Sequence, residues 1–428
     1  MRWFDGLAVL VVAGLAAYLA IQPPLRELEG PAYDLLLRAR LEIYGKDFSS
    51  RGLRAQPSPV VVVALDQETG LRPPFDRLPQ ELWTPQIAEV MRRTLDAGAL
   101  VLAQQQAFAT SGDAAIEGYD ADYLAVLSEA AKQRRMVLGR RAPAPDRLGP
   151  APAHAEAVGA DRNVRHIALY PDPDGVLRHA ALYEDSHDRT GNVSVKPTLA
   201  LELAARVIGE RPHLLNGSDL LLGRHAVPGS EINAMLLNFQ GGDGGIPVFS
   251  LGDLYACSQD GEEGFFRKHF DDKVVIFGRT DGPRWRRVTA ARFLDVRSTD
   301  RYAERCRLPL MLSLVASDHG SDATGTMPEV LVSATAVRNL LLREGVKSLS
   351  AAAVFFIVAL LALAVAWAVL RIDSHIVAPA VLVVAAGWGY LAVVMLARET
   401  WLMPLAQPAS AVALAFAAAW IYRALRRF

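Results

Sequence analysis

Apolar residues gather in four runs along the 428-residue chain, with a long and evenly mixed stretch between the first run and the second. Residues 351–370, AAAVFFIVALLALAVAWAVL, contain no charged side chain. That is about the length a helix needs to cross roughly 30 Å of hydrocarbon. Two further runs, at about 376–397 and 402–421, follow after short polar breaks. Their Pro379, Pro404 and Pro408 are tolerable where neighbouring helices satisfy the freed backbone groups. Trp367, Trp388, Tyr390, Trp401, Trp420 and Tyr422 fall mostly near segment ends, where amphipathic rings prefer the membrane interface. The N-terminal run, 6–22, is shorter. Tyr18 and Leu15 stand three residues before the ends of its candidate cleavage sites, and Pro23 and Pro24 follow, so it reads as an anchor rather than a cleaved signal peptide.

Four spans place both termini on one side, and Arg423, Arg426 and Arg427 assign that side to the cytoplasm. Arg371 agrees with this and Arg398 does not. The expected division is an anchor at 1–22, an outer domain at 23–350, three spans at 351–422 and a basic tail at 423–428.

The outer stretch follows an α/β pattern. After Pro59 the β-branched run VVVVAL predicts a strand covered on both faces. Ile87, Val90, Met91, Thr94 and Leu95 have helical spacing and end at Gly98. A strand at 99–103, a helix at 120–135 and a strand at 136–139 complete an alternation that implies a parallel sheet. From Val164 the pattern changes to HIALY and VLRHAALY around Pro171-Asp172-Pro173-Asp174-Gly175, which predicts an antiparallel hairpin turning at Asp-Gly. In this reading Asp172, Asp174, Gly175 and Arg178 are structural, and Asp172→Ala costs little. A helix at 197–209, a strand-like stretch at 234–239, the strand VVIFG and a last helix at 329–342 leading to the second span resume the mixed pattern.

Composition narrows the functional classes. Lys plus Arg total 45 against 46 Asp plus Glu, so the chain lacks the basic field of a nucleic-acid binder. Its two cysteines, Cys257 and Cys306, have neither CxxC nor Cys/His spacing and form no zinc site. In an oxidising compartment they can pair, and two unrelated thiols is the equal alternative. No GxSxG, HExxH, P-loop or kinase pattern occurs, so neither an enzyme active site nor a cofactor is expected. GGDGG at 241–245 reads as a turn, and SDHGSD at 317–322 as a solvated loop rather than a metal site. Asp66, after the first strand, and Thr280 with Asp281, after VVIFG, stand where open α/β sheets collect ligands. Capping of the following turn is the equal alternative for Asp66.

The order of parts resembles the type-two CHASE family, an extracellular sensor domain associated with bacterial cyclases and histidine kinases. YDLLLRAR (33–40) is similar to the family's entry helix, VVVVALDQET to its first strand, and PFDR (74–77) to its Pro-Trp-Pro-Arg. Asp172, Asp174, Gly175 and Arg178 match its Asp-x-Asp-Gly-x-x-Arg, VVIFGRT its Val-x-Ile-Gly-x-Thr, and MPEVLVSATAVRNLL its last outer helix. Two acids of the family pattern are missing. Gln104, Gln105 and Gln106 stand at one place and Arg284, Arg286 and Arg287 at the other.

The resemblance implies an α/β periplasmic sensor domain plus four transmembrane helices in a bacterial inner membrane. It also implies a small-molecule or peptide ligand and a separate cytoplasmic effector (cyclase, kinase or other), since the chain ends at Phe428. A homodimer is compatible with it. The charge inversion favours an anion held by Asp66, Gln105, Thr280, Asp281, Arg286 and Arg287, against drift in a domain that binds nothing. The alternatives are a non-signalling envelope protein that binds another protein, and the sensor half of a longer cyclase or kinase.

Overall fold

A computed structural model describes residues 2–44, 57–141, 149–187, 193–215, 219–240, 245–293, 304–309, 325–372 and 374–425. The chain forms two compact units, Ala55–Gly345 and Met1–Arg54 with Val346–Phe428. Residues 23–44 fall in the second of these.

The first unit is built on six strands: β1 Val60–Leu65, β2 Val101–Gln104, β3 Met136–Arg140, β4 Val164–His166, β5 Val248–Ser250 and β6 Val274–Arg279. They lie in the order β5-β1-β6-β2-β3-β4, every neighbouring pair parallel. The unbroken apolar run of β1 has its physical reason here, because alternate residues are buried on opposite faces. Val61, Val63 and Leu65 enter one core, and Val60, Val62 and Ala64 enter the other.

The steps β1 to β2, β2 to β3, β3 to β4 and β5 to β6 all run the same way along the sheet. Right-handed crossovers then put their helices on one face. Thr84–Asp96, Ala121–Lys132, Leu251–Gln259 and Glu263–Phe270 accordingly fill a single core with Met91, Leu127, Leu254 and Phe270. The opposite face is covered by Leu199–Ile208 and Glu329–Leu342, through Leu203, Val330, Ala334 and Val337.

The region after residue 164 differs from the expected hairpin. Val164–His166 is instead the sixth parallel strand, paired with β3. The turn itself forms, with Asp172 N donating to Val176 O and Gly175 N to Asp172 O. Beyond it the returning arm is claimed by other segments. Leu177 exchanges backbone bonds with Val288 and Ala290, and His179–Ala180 pairs antiparallel with Met235–Leu236. Antiparallel hairpins do occur nearby, joining Tyr183–His187 to Val193–Pro197 and His213–Leu215 to Asp219–Leu222. Residues 241–244 and 317–322 lie outside the described residues.

The second unit holds three helices long and apolar enough to cross a membrane, Ala351–Arg371, Ile376–Glu399 and Ala406–Leu425. A fourth span is made if Gly6–Ala20 and Pro23–Tyr44, bent by 66°, count as one. Ala13, Ala16, Ala17 and Ala20 meet Ala362, Ala366, Ala411, Ala415 and Ala419 in one buried seam. Small side chains allow the close backbone approach on which helix association in lipid depends. Glu29 accepts from Leu405 N at 3.0 Å and Gln407 N at 2.8 Å, satisfying orphan donors at the start of the last helix.

Gly139 and Gly175 separate steric from conformational demand. A Cβ on Gly139 would sit 2.2 Å from the Gln105 carbonyl oxygen, whereas one on Gly175 would meet nothing but require φ +79°. We predict that Gly139→Ala destabilises by about 3 kcal/mol or more and Gly175→Ala by about 1 kcal/mol, measured by denaturant unfolding of the detergent-solubilised full chain. Equal costs would mean that the β2–β3 approach is not tight.

Candidate ligand-binding site

The parallel strands end together, and the segments beyond Leu65, Gln104 and Arg279, with Arg141 beyond Arg140, stand at the carboxyl edge, where open α/β sheets bind ligands. Tyr123 lies in the core of the crossover helices, and its hydroxyl donates to Gln104 Oε1. Alternation therefore places the next side chain, Gln105, on the opposite face, that of helix Glu329–Leu342. Registers Phe277↔Gln104 and Gln104↔Leu138 put Gly278 and Gly139 on either side of Gln105. Gly278 leaves room for the helix, since a Cβ there would meet Val330 Cγ2 at 2.6 Å. Gln105 is wholly buried, and among the described residues neither its amide nitrogen nor its oxygen has a hydrogen-bond partner. An orphaned buried polar atom costs about 1–3 kcal/mol, so the position calls for an outside partner.

Charged groups surround the adjoining helix start. Glu329, 2% exposed, is held by Arg141, which follows β3, and by Arg287 Nη2 at 2.6 Å. The guanidinium groups of Arg141, Arg279 and Arg284 stand 4.6, 5.4 and 5.6 Å from the Trp285 ring centre. Cations over an indole face gain from its quadrupole. Gln106 Oε1 accepts from Arg279 N, which closes the gap between β2 and β6.

The candidate residues divide accordingly. Asp66 caps its turn: its Oδ1 accepts from Thr69 N at 2.8 Å, Thr69 Oγ1 at 2.6 Å and Ser250 Oγ at 3.1 Å, which ties β1 to β5. Arg286 donates to Thr326 Oγ1, Thr326 O and Thr280 O, bracing the strand pair 286–288 with 326–328. Thr280 is half-buried, and Asp281 accepts from Arg279 Nε at 3.5 Å. Gln105 and Arg287 lie beside the helix start. Arg141, Trp285 and Glu329 escaped the sequence reading. A glutamate opening a mainly apolar helix was the available signal.

The Asp-x-Asp-Gly-x-x-Arg turn is a charge clasp. Arg178, 1% exposed, reaches Asp172 Oδ2 at 3.0 Å and Asp174 at 2.9 and 2.8 Å, while His179 Nδ1 lies 2.8 Å from Asp172 Oδ1. Asp172 is thus one of two carboxylates answering a buried guanidinium, which corrects the expectation that Asp172→Ala costs little. A second network lies on the other side of the sheet. Buried Asp120 accepts from Thr84 Oγ1 (2.5 Å), Ser111 Oγ (2.6 Å) and Gly112 N (2.8 Å), and pairs with buried His154 Nε2 at 2.9 Å. The structure joins Cys257 and Cys306 in a disulfide. Among the described residues no group of three His, Cys, Asp or Glu could hold a metal ion.

These groups give the domain a defined response to acid. Burial pushes the imidazoles of His166 and His269 below their ordinary value. Asp120 and Asp172 are pushed up by burial, but hydrogen bonds, joined at Asp172 by the charges of His179 and Arg178, outweigh it and hold both below the usual carboxylate range. Asp174 is held down chiefly by its bond from Arg178. A depressed histidine destabilises the fold once the unfolded chain begins to take up protons, near pH 6.5. A depressed aspartate loses its contribution only below about pH 4. We predict two steps of stability loss on acidification of the full chain. His166→Gln should shrink the first step and leave the second; an unchanged first step would show that His166 takes no part in it.

The family model for the CHASE2 domain matches residues 7–371, and the chain belongs to that family, whose domain is a sensor. No curated protein and no solved structure matches the chain. With its C-terminal apolar helices, the chain is a membrane protein carrying a CHASE2 sensor domain.

Proposed function

We propose that this protein is an inner-membrane receptor whose outer domain binds an anionic ligand in the periplasm and signals to a separate cytoplasmic effector. The observation that carries the reading is Gln105, buried and unpartnered beside the start of helix Glu329–Leu342. Arg141, Arg279, Arg284 and Arg287 outnumber Glu329 and Asp281 around Trp285, so the surroundings retain positive charge for an anion. Arg286 serves this site by bracing the strand pair and Asp66 by fixing the β1 turn; neither guanidinium nor carboxylate is needed for contact. Eight residues beyond the end of this helix the chain enters the apolar helix Ala351–Arg371, which gives the outer domain a covalent route to the membrane.

Two measurements test the reading. Reporter fusions after Phe428 and near Asp185 should give opposite sides of the membrane, with the C-terminus in the cytoplasm; signals from the same side would end the receptor topology. Thermal-shift screening of the full chain in detergent against small carboxylates and phosphates should raise the melting temperature by several degrees, as expected for a ligand at about a hundred times its Kd. No shift with any anion would remove the anion site.

A further inference from the structure

Glu329 occupies the kind of place a carboxylate ligand would take. It begins a fourteen-residue helix, so the first backbone N–H groups of that helix point toward negative charge. Its carboxylate is shared by Arg141 and Arg287, whose side chains keep 21% and 35% of their surface while that of Glu329 keeps 3%. The acid lies inside and both cations reach solvent. On the same face of the sheet, beside the Gly278 against which Val330 packs, Gln105 offers a donor and an acceptor that have no partner among the described residues. Val330, packed against Gly278, is the residue that brings the helix start down beside Gln105.

We propose that Glu329 is a built-in competitor for the ligand, and that a small dicarboxylate displaces it from Arg141 and Arg287 while its second polar group reaches Gln105. This rests on the ligand site proposed above and adds the ligand's class and its mode of action. A carboxylate is indicated because the group now seated between the two guanidiniums is one. A second polar group is indicated because Gln105 stands apart from the ion pairs and is otherwise unanswered. Exchange of one carboxylate for another leaves the charge between the arginines unchanged, so neither cation is stranded; the cost falls on Glu329, whose released carboxylate must leave its buried place for solvent. What changes is the helix start: Glu329 loses both partners, and a first turn held by them is freed. Ligand entry therefore acts on Glu329–Leu342 through differential contacts in two states, as a shift of equilibrium requires.

The test uses the full chain in detergent, with succinate and inorganic phosphate as probes, followed by calorimetry and by hydrogen exchange over residues 326–333. Succinate should bind and raise exchange there. Glu329→Gln should bind succinate about tenfold more tightly, a coupling of ordinary size, and show raised exchange before succinate is added. Glu329→Asp, whose shorter carboxylate competes less well, should shift in the same direction by less, and serves if the glutamine variant does not fold. Arg141→Gln and Arg287→Gln should each lose binding. If succinate binds the wild type while Glu329→Gln and Glu329→Asp bind it no better, the competition is wrong and the site stands. Exchange that falls at 326–333 on binding would also overturn the competition. If neither probe binds wild type or any Glu329 variant, the site itself fails. Phosphate bound as tightly as succinate would overturn the dicarboxylate assignment alone.

Discussion

A helix buried along its length must answer every charge it carries, and Glu329–Leu342 carries two. Residues 329–340 are all buried, because the helix packs against the parallel sheet on one side and is enclosed by other segments on the rest. Glu329 is answered by Arg141 and Arg287, and Arg338 by Glu344 at 3.1 Å. Asn339 receives Asn238 N at 2.8 Å and donates to Asn238 O at 3.2 Å, so its amide stands in for a strand partner. Each answer recruits a different part of the unit: the end of β3, the strand pair at 286–288, and the stretch before Gln240. Removing one partner alone would leave a buried charge or amide exposed to the full desolvation cost. The polar edge follows from burying this helix.

The other buried networks hold loops rather than helices. Asp120 draws together the start of Thr84–Asp96, the loop at 111–112 and the short helix Pro152–Ala157, so the segment after β2 is pinned from three directions. Arg178 does the same for the turn at 172–176, and the backbone bonds of Leu177 carry that anchoring to residues 288–290. Asp253 accepts from the backbone N–H groups of Cys306, Arg307 and Leu308, which sets that segment beside the disulfide. A carboxyl edge framed in this way has preorganised loops, so a ligand bound at the proposed site would incur a smaller ordering cost.

Much of this was legible because the signals were local. The β-branched run of β1 and the helical spacing at 87–95 report a doubly covered strand and its crossover directly, and VVIFG reports β6. The edge strand β5 was missed because three residues, Val248–Ser250, are too few to show a period. Val164–His166 was misread for a related reason: its partner is β3, some two dozen residues upstream, while the nearby Asp-Gly turn pointed to a local hairpin. At the candidate site, the glutamines and arginines were conspicuous as departures from a pattern. Which arginine faces the helix depends on packing, and pattern alone could not tell Arg286, bonded to the Thr326 carbonyl, from Arg287, paired with Glu329. Asp66 shows the same limit, since capping and ligand binding ask for the same residue at the same strand end.

The far end of the buried helix bears on how a change at Glu329 would travel. At about 1.5 Å per residue, fourteen residues make a rod of about 21 Å. The rod ends in a closed cap: Arg343 takes φ 58°, and both it and Glu344 donate backbone N–H groups to Asn339 O. Glu344 is fixed further by Arg338 and Gln240, and Lys347 N donates to Thr400 O ahead of the last apolar helix. Gly345 and Val346 alone separate the last pinned residue of one unit from the first pinned residue of the other. For the receptor proposed above, lengthening this junction with glycines should uncouple ligand binding from the membrane helices while leaving affinity at the carboxyl edge intact, as read by hydrogen exchange in the apolar helices with and without succinate.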